Sequence, residues 1–342
     1  MINTNTEKMS EKILVIRMQG VADALAIGVP ALRYIRQQFP KATIHCLTYG
    51  QGQSLINLAE PEVKCMCLPE QSWPNDIIKA MEVFLGLAEQ IVPESYDQII
   101  NLDTAFMPCF LARFLKDAGE PVSGNFINQS VQDLLDALNT QQLDPAYVQG
   151  ESNYMESSFF TMSAWFSAWW LSETPDLGYP EYYLARCCGF NPLSFDMSVN
   201  IEPDSDIDKM RQPVVALCLQ ESDDGYLYPF ISELASGLKQ NGFACWQQTP
   251  QDSAVSLIAK LKASQLVVTK SAAIRWYAQA VGTKVLLISG AIEPRMLMPD
   301  YATDTATPSL SQTTNIHLSG NLGDSAGDLV ESISDLLKQK LH

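Results

Sequence analysis

Two rhythms of apolar positions take turns along this chain. Short runs of branched apolar residues alternate with longer stretches in which apolar residues recur every three or four positions. KILVIRM, Lys12 to Met18, is the first short run and reads as a strand buried on both faces. VADALAIGVPALRYIRQQF follows with helical spacing and stops at Pro40. ATIHCLTYG, VKCMCLP and YDQIINLD continue as strands, with GQSLINLAE, NDIIKAMEVFLGLAEQI and AFMPCFLARFLKDAG as the helices around them. Strands separated by helices at this spacing predict an α/β fold with a parallel, doubly wound sheet.

The rhythm lapses from Gly124 to Ser157, a polar stretch whose pattern shows no buried strand. Such segments are ligand-facing lids, partner contacts or plain connections. FFTMSAWFSAWWL then reads as an aromatic helix over Phe159–Leu171, with Phe159, Met162, Phe166 and Trp169 on one face and Trp165 and Trp170 widening it. YPEYYLARCCGF is a further helix, and PLSFDMSVNIEPDSDIDKMRQP reads as a linker. A second alternating series begins at PVVALCLQ and runs through YPFISELASGLKQNG, FACWQQ, DSAVSLIAKLKAS, QLVVTK, a helix from Ser271, and KVLLISG. NIHLSG reads as a last strand and SAGDLVESISDLLKQKL as a terminal amphipathic helix. Two Rossmann-like domains are therefore expected, residues 1–195 and 196–342, with a ligand cleft facing the carboxyl ends of both sheets.

Composition narrows the partners. The 342 residues carry a formal net charge of -17, which repels free nucleic acid and anionic membranes at long range. The polar start, MINTNTEKMSEK, has no apolar core of signal-peptide length, so a cytoplasmic protein is expected. Eight cysteines form no CxxC pair and mostly lie inside apolar patterns, so they read as reduced, packed thiols. With only His45, His317 and His342 available, a histidine-built metal site is not expected.

TKSAAIRWYAQAVG, Thr269 to Gly282, is the stretch where a buried strand turns into a helix. A helix N-terminus at such a junction offers free amides and partial positive charge to a phosphate. Lys270 and Arg275 either add two cations to that site or point into solvent.

KILVIRMQGVADALAIGVPALRYIRQQFPKATIHCLTYG resembles the start of the bacterial heptosyltransferases, glycosyltransferase family 9, where a strand is followed by a Gly-Asp pair, apolar residues, Pro-Ala-Leu and a helix ending in Phe-Pro. EVKCMCLPE and YDQIINLDTAFMPCFLARFL stand where that family has its next elements, and SQLVVTKSAAIRWYAQAVGTKVLLISGAIEPR follows its donor-site segment without a gap. The resemblance covers most of the chain apart from the irregular middle. It implies the GT-B architecture, with residues 1–195 on the acceptor side and 196–342 binding the donor nucleotide, and it allows the last helix to pack back on the first domain. It implies inverting transfer of heptose, without metal or cofactor, from ADP-heptose or another nucleotide sugar to a lipopolysaccharide or surface-glycan acceptor. For a lipid-linked acceptor at the inner face of the inner membrane, the aromatic face at 159–171 is either a peripheral membrane contact or, with Glu156 and Glu173 flanking it and no nearby cation, core packing or a subunit contact.

Under this resemblance Asp23, in GVADAL, matches the catalytic base, which takes the proton of the acceptor hydroxyl as it attacks the anomeric carbon. Ala22 stands where glycine is usual, and one extra residue lies between Asp23 and Pro30, an insertion that would turn the carboxylate from the cleft. Read from the residues alone, Asp23 is either that base or the cap of the first helix. The donor turn reads Asp-Thr/Ser-Gly in the family, with a histidine soon after. Here Ser271, Ala272 and Ala273 fill the first three places and Trp276 takes the histidine's. Where the family usually has a lysine against the phosphates, CLQESDDGYLYP places Glu221, Asp223 and Asp224. Glu293 in SGAIEPR holds the family's acidic position, followed by Arg295; it either contacts donor hydroxyls or is a surface turn. Departures at the donor turn leave a second possibility open: a degenerate relative without transferase activity, acting as a binding or scaffold protein.

Overall fold

The computed structural model describes residues 11–18, 20–68, 77–173, 177–219 and 228–287, with Gly327, Val330 and Glu331. The chain divides into two compact units, Met1–Phe166 with Leu184–Ser194, and Ser167–Tyr183 with Phe195–His342.

In the first unit, β1 (Lys12–Ile16), β2 (Thr43–Tyr49), β3 (Lys64–Leu68), β4 (Gln98–Asn101), β5 (Val122–Ile127) and β6 (Met155–Ser157) form a sheet in the order β3-β2-β1-β4-β5-β6. All pairings are parallel except β5 with β6. The chain enters α1 (Val21–Asp23), a π-helical turn (Ala24–Gly28) and α2 (Val29–Gln38) after β1, and α3 (Gly52–Ala59) after β2. The next helices are α4 (Ile77–Ile91), α5 (Phe106–Asp117), α6 (Val131–Asn139), α7 (Pro145–Gln149) and α8 (Glu151–Tyr154). Leu14, Ile16, Leu47 and Ile99 on the sheet meet Phe84 of α4 and Phe110 of α5 in one core, all of them fully buried. Burying each such side chain is worth about 1.5–3 kcal/mol.

Two sequence expectations fail here. The polar stretch from Gly124 does contain a buried strand, because GNFI completes β5 and all four residues are buried. Its letters hide it for a physical reason. Asn125 is fully buried yet hydrogen-bonded to β4's neighbourhood, and Gly124 (φ 92°) sits where a Cβ would run into the Asn101 carbonyl. The aromatic stretch is not a continuous helix either. It folds as two 3-10 turns, Met162–Phe166 and Trp169–Leu171, as suits a run crowded with aromatic side chains of poor helix propensity. Met162 and Trp169 are buried, whereas Phe160, Phe166 and Leu171 are exposed, so no single face forms. Trp169 stacks on Tyr182 at a centroid distance of 4.2 Å.

In the second unit, β7 (Val214–Cys218), β8 (Ala244–Gln247), β9 (Leu266–Thr269) and β10 (Lys284–Leu287) form an all-parallel sheet in the order β10-β9-β7-β8. Two short helices precede it, α9 (Tyr179–Glu181), running into a second π-helical turn (Tyr182–Cys187), and α10 (Ser205–Asp208). α11 (Ile231–Gln240), α12 (Ala254–Lys262) and α13 (Ala272–Ala280) connect the strands. Val330 packs into this unit's core beside Leu234 and Leu238. The strand expected at NIHLSG and nearly all of the terminal helix lie outside the described residues. The eight cysteines carry free thiols, five of them buried. Among the described residues no helix is long and apolar enough to cross a membrane.

Candidate functional site

Each sheet has one point where the strand order reverses, and ligands of open α/β sheets bind outside the carboxyl ends of the strands there. In the first unit that point lies between β1 and β4, and in the second between β7 and β9.

The register Ile16↔Asn101 puts the residues following β1 beside those following β4. Arg17, 4% exposed, donates from Nη1 to the Leu102 carbonyl at 2.8 Å and pairs with the Asp103 carboxylate at 3.4 Å. Its Nη2 meets Asp23 Oδ2 at 2.9 Å. Asp103 is fully buried and also accepts the Met18 backbone N–H. One guanidinium thus bridges a buried carboxylate and the 19%-exposed carboxylate of Asp23. The network continues inward. Asn101 accepts the Asp103 N–H at 3.0 Å and donates to the Asn125 carbonyl at 2.7 Å, while Asn125 donates to the Asp103 carbonyl at 3.0 Å. Thr104 donates to Glu151 at 2.7 Å, and Tyr154 donates to the Thr104 carbonyl at 2.6 Å. Burial pushes the Tyr154 phenol and the Cys109 thiol upward, so both stay neutral donors.

Asp23 does not cap the first helix. The cap position of α1 is Gly20, in the left-handed region at φ 66°, and no side chain bonds the helix amides there. Ala24–Gly28 is a π-helical turn, which takes one residue more than an α-turn, directly after Asp23 and before Pro30. Arg17 holds the carboxylate at 2.9 Å.

At the end of β9 the residues singled out from the sequence stand together. Ser271 is the N-cap of α13 in extended conformation, makes no side-chain cap bond, and gives its own N–H to the Thr269 hydroxyl at 3.0 Å. Lys270 and Arg275 are 5% and 6% exposed, which overturns the alternative that they point into solvent. Arg275 lies 4.1 Å above the ring of Trp276, itself buried and edge-on to Tyr179 at 5.4 Å. Ala272 and Ala273, at the first turn, are half-buried. Glu293, Arg295 and the acidic residues Glu221, Asp223 and Asp224 lie outside the described residues.

Solved structures share this architecture across nearly the whole chain. The E. coli ADP-heptose lipopolysaccharide heptosyltransferase II matches 97% of this chain and 100% of its own at 16% identity and a TM-score of 0.60. A glycosyltransferase family 9 protein from Veillonella parvula matches 96% and 98% at 12% identity and a TM-score of 0.63. E. coli heptosyltransferase WaaC, solved with ADP-2-deoxy-2-fluoro heptose, matches 96% and 99% at 11% identity and a TM-score of 0.53. The fold is that of GT-B glycosyltransferases. No protein-family profile matches the sequence, and no curated protein matches it.

Within this GT-B fold, sequence reasoning missed the residues that hold Asp23. Arg17 and Asp103 each sit just past the end of a buried strand, in KILVIR and IINLD. A charged residue that closes an otherwise apolar strand was the signal available, and strand order was needed to show that these two meet.

Proposed function

We propose that this chain is an inverting, metal-independent glycosyltransferase with Asp23 as its base. It transfers a heptose-like sugar from a nucleotide-diphosphate donor to a lipopolysaccharide or other surface-glycan acceptor. The observation that carries the reading is the Arg17–Asp23 contact at the β1/β4 switch point, where Asp23 is the water-reachable carboxylate of the pair bridged by Arg17. Asp23 accepts the proton of the attacking hydroxyl, while Asp103, fully buried, orients Arg17. The acceptor belongs on the first unit's side and the donor diphosphate at the N-terminus of α13, where the half-buried residues Ala272 and Ala273 and the cations Lys270 and Arg275 are assigned to the leaving charge in this reading. Glu293 is assigned to the donor's hydroxyls. No cofactor takes part. Heptosyltransferase WaaC, whose structures hold ADP and ADP-2-deoxy-2-fluoro heptose, supplies the donor class to try first. The reaction belongs in the cytoplasm, at the inner face of the membrane where the acceptor is lipid-linked.

A second reading, a binding or scaffold protein without turnover, has two observations in its favour. The Ser271 amide is already engaged by Thr269 at 3.0 Å, and the turn carries alanine methyls where a diphosphate approaches the backbone. Calorimetric titration with ADP, ADP-heptose and UDP-sugars, followed by an assay for nucleotide release, separates the two. Saturable binding with release supports the transferase, binding without release supports the second reading, and no binding at millimolar nucleotide removes the donor assignment.

A further inference from the structure

The irregular stretch between β5 and β6 lines a half-open cavity at the surface. It lies between Gln129, two residues past β5, the end of α6, and α7 with α8, and measures about 430 Å³. That is within the range of small-molecule sites, roughly 300–1,000 Å³. Its polar lining is mostly neutral: the amides of Gln129, Gln142 and Asn153 and the phenol of Tyr147.

The walls are fixed before any ligand arrives. Leu143 and Tyr147 pack against the main core of the first unit. Tyr147 is edge-on to Phe106 at 6.1 Å and to Tyr154 at 6.3 Å, and its hydroxyl donates to Asn128 at 2.8 Å. Asn153 donates to the Ala146 carbonyl at 2.9 Å, tying α8 to α7. Gln142, by contrast, is exposed and lies outside any helix, so its amide costs the fold nothing to present.

Charge selects among ligands. No lysine or arginine lines the cavity, and its one charged residue is Asp144. Arg113, whose charge reaches Tyr147, is held by Asp117 at 2.7 Å and by the Ile127 carbonyl at 3.3 Å. A phosphate or carboxylate would find no free cation here and would meet the field of a chain with net charge -17. A primary amide carries two donors and an acceptor, and a hydroxyl is both, so the two match in either orientation. The amides of Gln129 and Gln142, beside Ala137, Leu143 and Ala146, therefore fit a ligand with many hydroxyls and no charge.

We propose that this cavity binds an uncharged carbohydrate unit, a mono- or disaccharide segment of a glycan. Binding here requires neither donor nor turnover, so it stands apart from the transferase reading.

Saturation-transfer NMR on the full chain tests it, with glucose, galactose, N-acetylglucosamine and lactose as neutral probes and glucose 6-phosphate as the charged one, each at millimolar concentration. At least one neutral probe is expected to bind, Gln142→Ala and Gln129→Ala each to weaken it by about fivefold, and glucose 6-phosphate to bind no better than glucose. ADP titrated into the same samples reports on the second unit and should be unaffected by either substitution. The inference is overturned if no neutral probe receives saturation, if binding survives both substitutions unchanged, or if the phosphorylated sugar binds more tightly. Loss of ADP binding alone counts against the donor assignment and leaves the sugar site standing.

Discussion

The two switch points share a topology and differ in how they spend charge. Between β1 and β4, one buried guanidinium bridges two carboxylates, and the Asn101 and Asn125 side-chain amides tie the strand ends around them. Between β7 and β9, two buried cations stand beside an aromatic pair, with Arg275 over Trp276 and Trp276 edge-on to Tyr179. The first arrangement fixes one carboxylate in place. The second gathers positive charge at a helix tip whose Ser271 amide is held by the Thr269 hydroxyl at 3.0 Å. In the transferase reading, positional accuracy is concentrated at the base, and the donor's end works by field.

The sharpest way to break this comparison is Asp23→Asn. Loss of the base is expected to lower the rate of nucleotide release by about 10²–10⁴-fold while leaving donor affinity within error. Unchanged release would take Asp23 out of the mechanism and leave the first switch point a purely structural cluster.

Next in size is a pair of matched deletions. Arg17→Met leaves Asp103 buried without its cation and should cost about 3–5 kcal/mol of stability, read as a fall in melting temperature. Adding Asp103→Asn should restore much of the loss, because the amide keeps an acceptor for the Met18 N–H without a buried charge. Arg275→Met, which removes a cation stacked on a ring, should cost about 1–2 kcal/mol. Equal losses at the two positions would show that the contrast between the sites is only apparent.

How far the letters alone reached follows the same division. Helices and strands of both units were legible wherever burial was apolar and periodic, as in KILVI or LVVT. β5 was not, because its interior positions are Gly124 and Asn125, a clearance for the Asn101 carbonyl and a hydrogen-bonding node, which look polar in one dimension. The aromatic stretch misled in the opposite sense: a three-to-four spacing of large apolar residues was present, yet crowded rings favoured short 3-10 turns over a single helix. Asp23 was singled out through the family resemblance, as the aspartate just after the first strand. Arg17 and Asp103 were not, because their partnership spans 86 positions and exists only once β1 and β4 are neighbours.

A gain of function sharpens the second site. Ala273→Gly removes a methyl from the first turn of α13, where the diphosphate is assigned, at a cost of about 1 kcal/mol or less in helix propensity. ADP affinity measured by calorimetry is expected to rise by about three- to tenfold. No change would mean that the methyl is not near the phosphates, and the assignment of the tip would fail with it.

The smallest effect separates the units by acid. His45, in β2, is held below the ordinary histidine range by burial, then by the charges of Lys12 and Lys64, with Glu94 pulling the other way. Its Nδ1 lies 2.7 Å from the Tyr96 hydroxyl. Because its folded pKa is depressed, the unfolded chain binds the proton first. The contribution to stability is therefore complete above about pH 6.5 and is lost progressively as pH falls toward the folded value, at no more than about 1.4 kcal/mol per pH unit. The second unit has no histidine among its described residues. Hydrogen exchange followed peptide by peptide should therefore show β2 losing protection between pH 7 and about 5.5 while β9 does not. His45→Asn, which keeps a polar group for Tyr96 without a titrating one, should flatten the β2 response; if β2 still loses protection with the same slope, another group in the first unit carries the acid sensitivity.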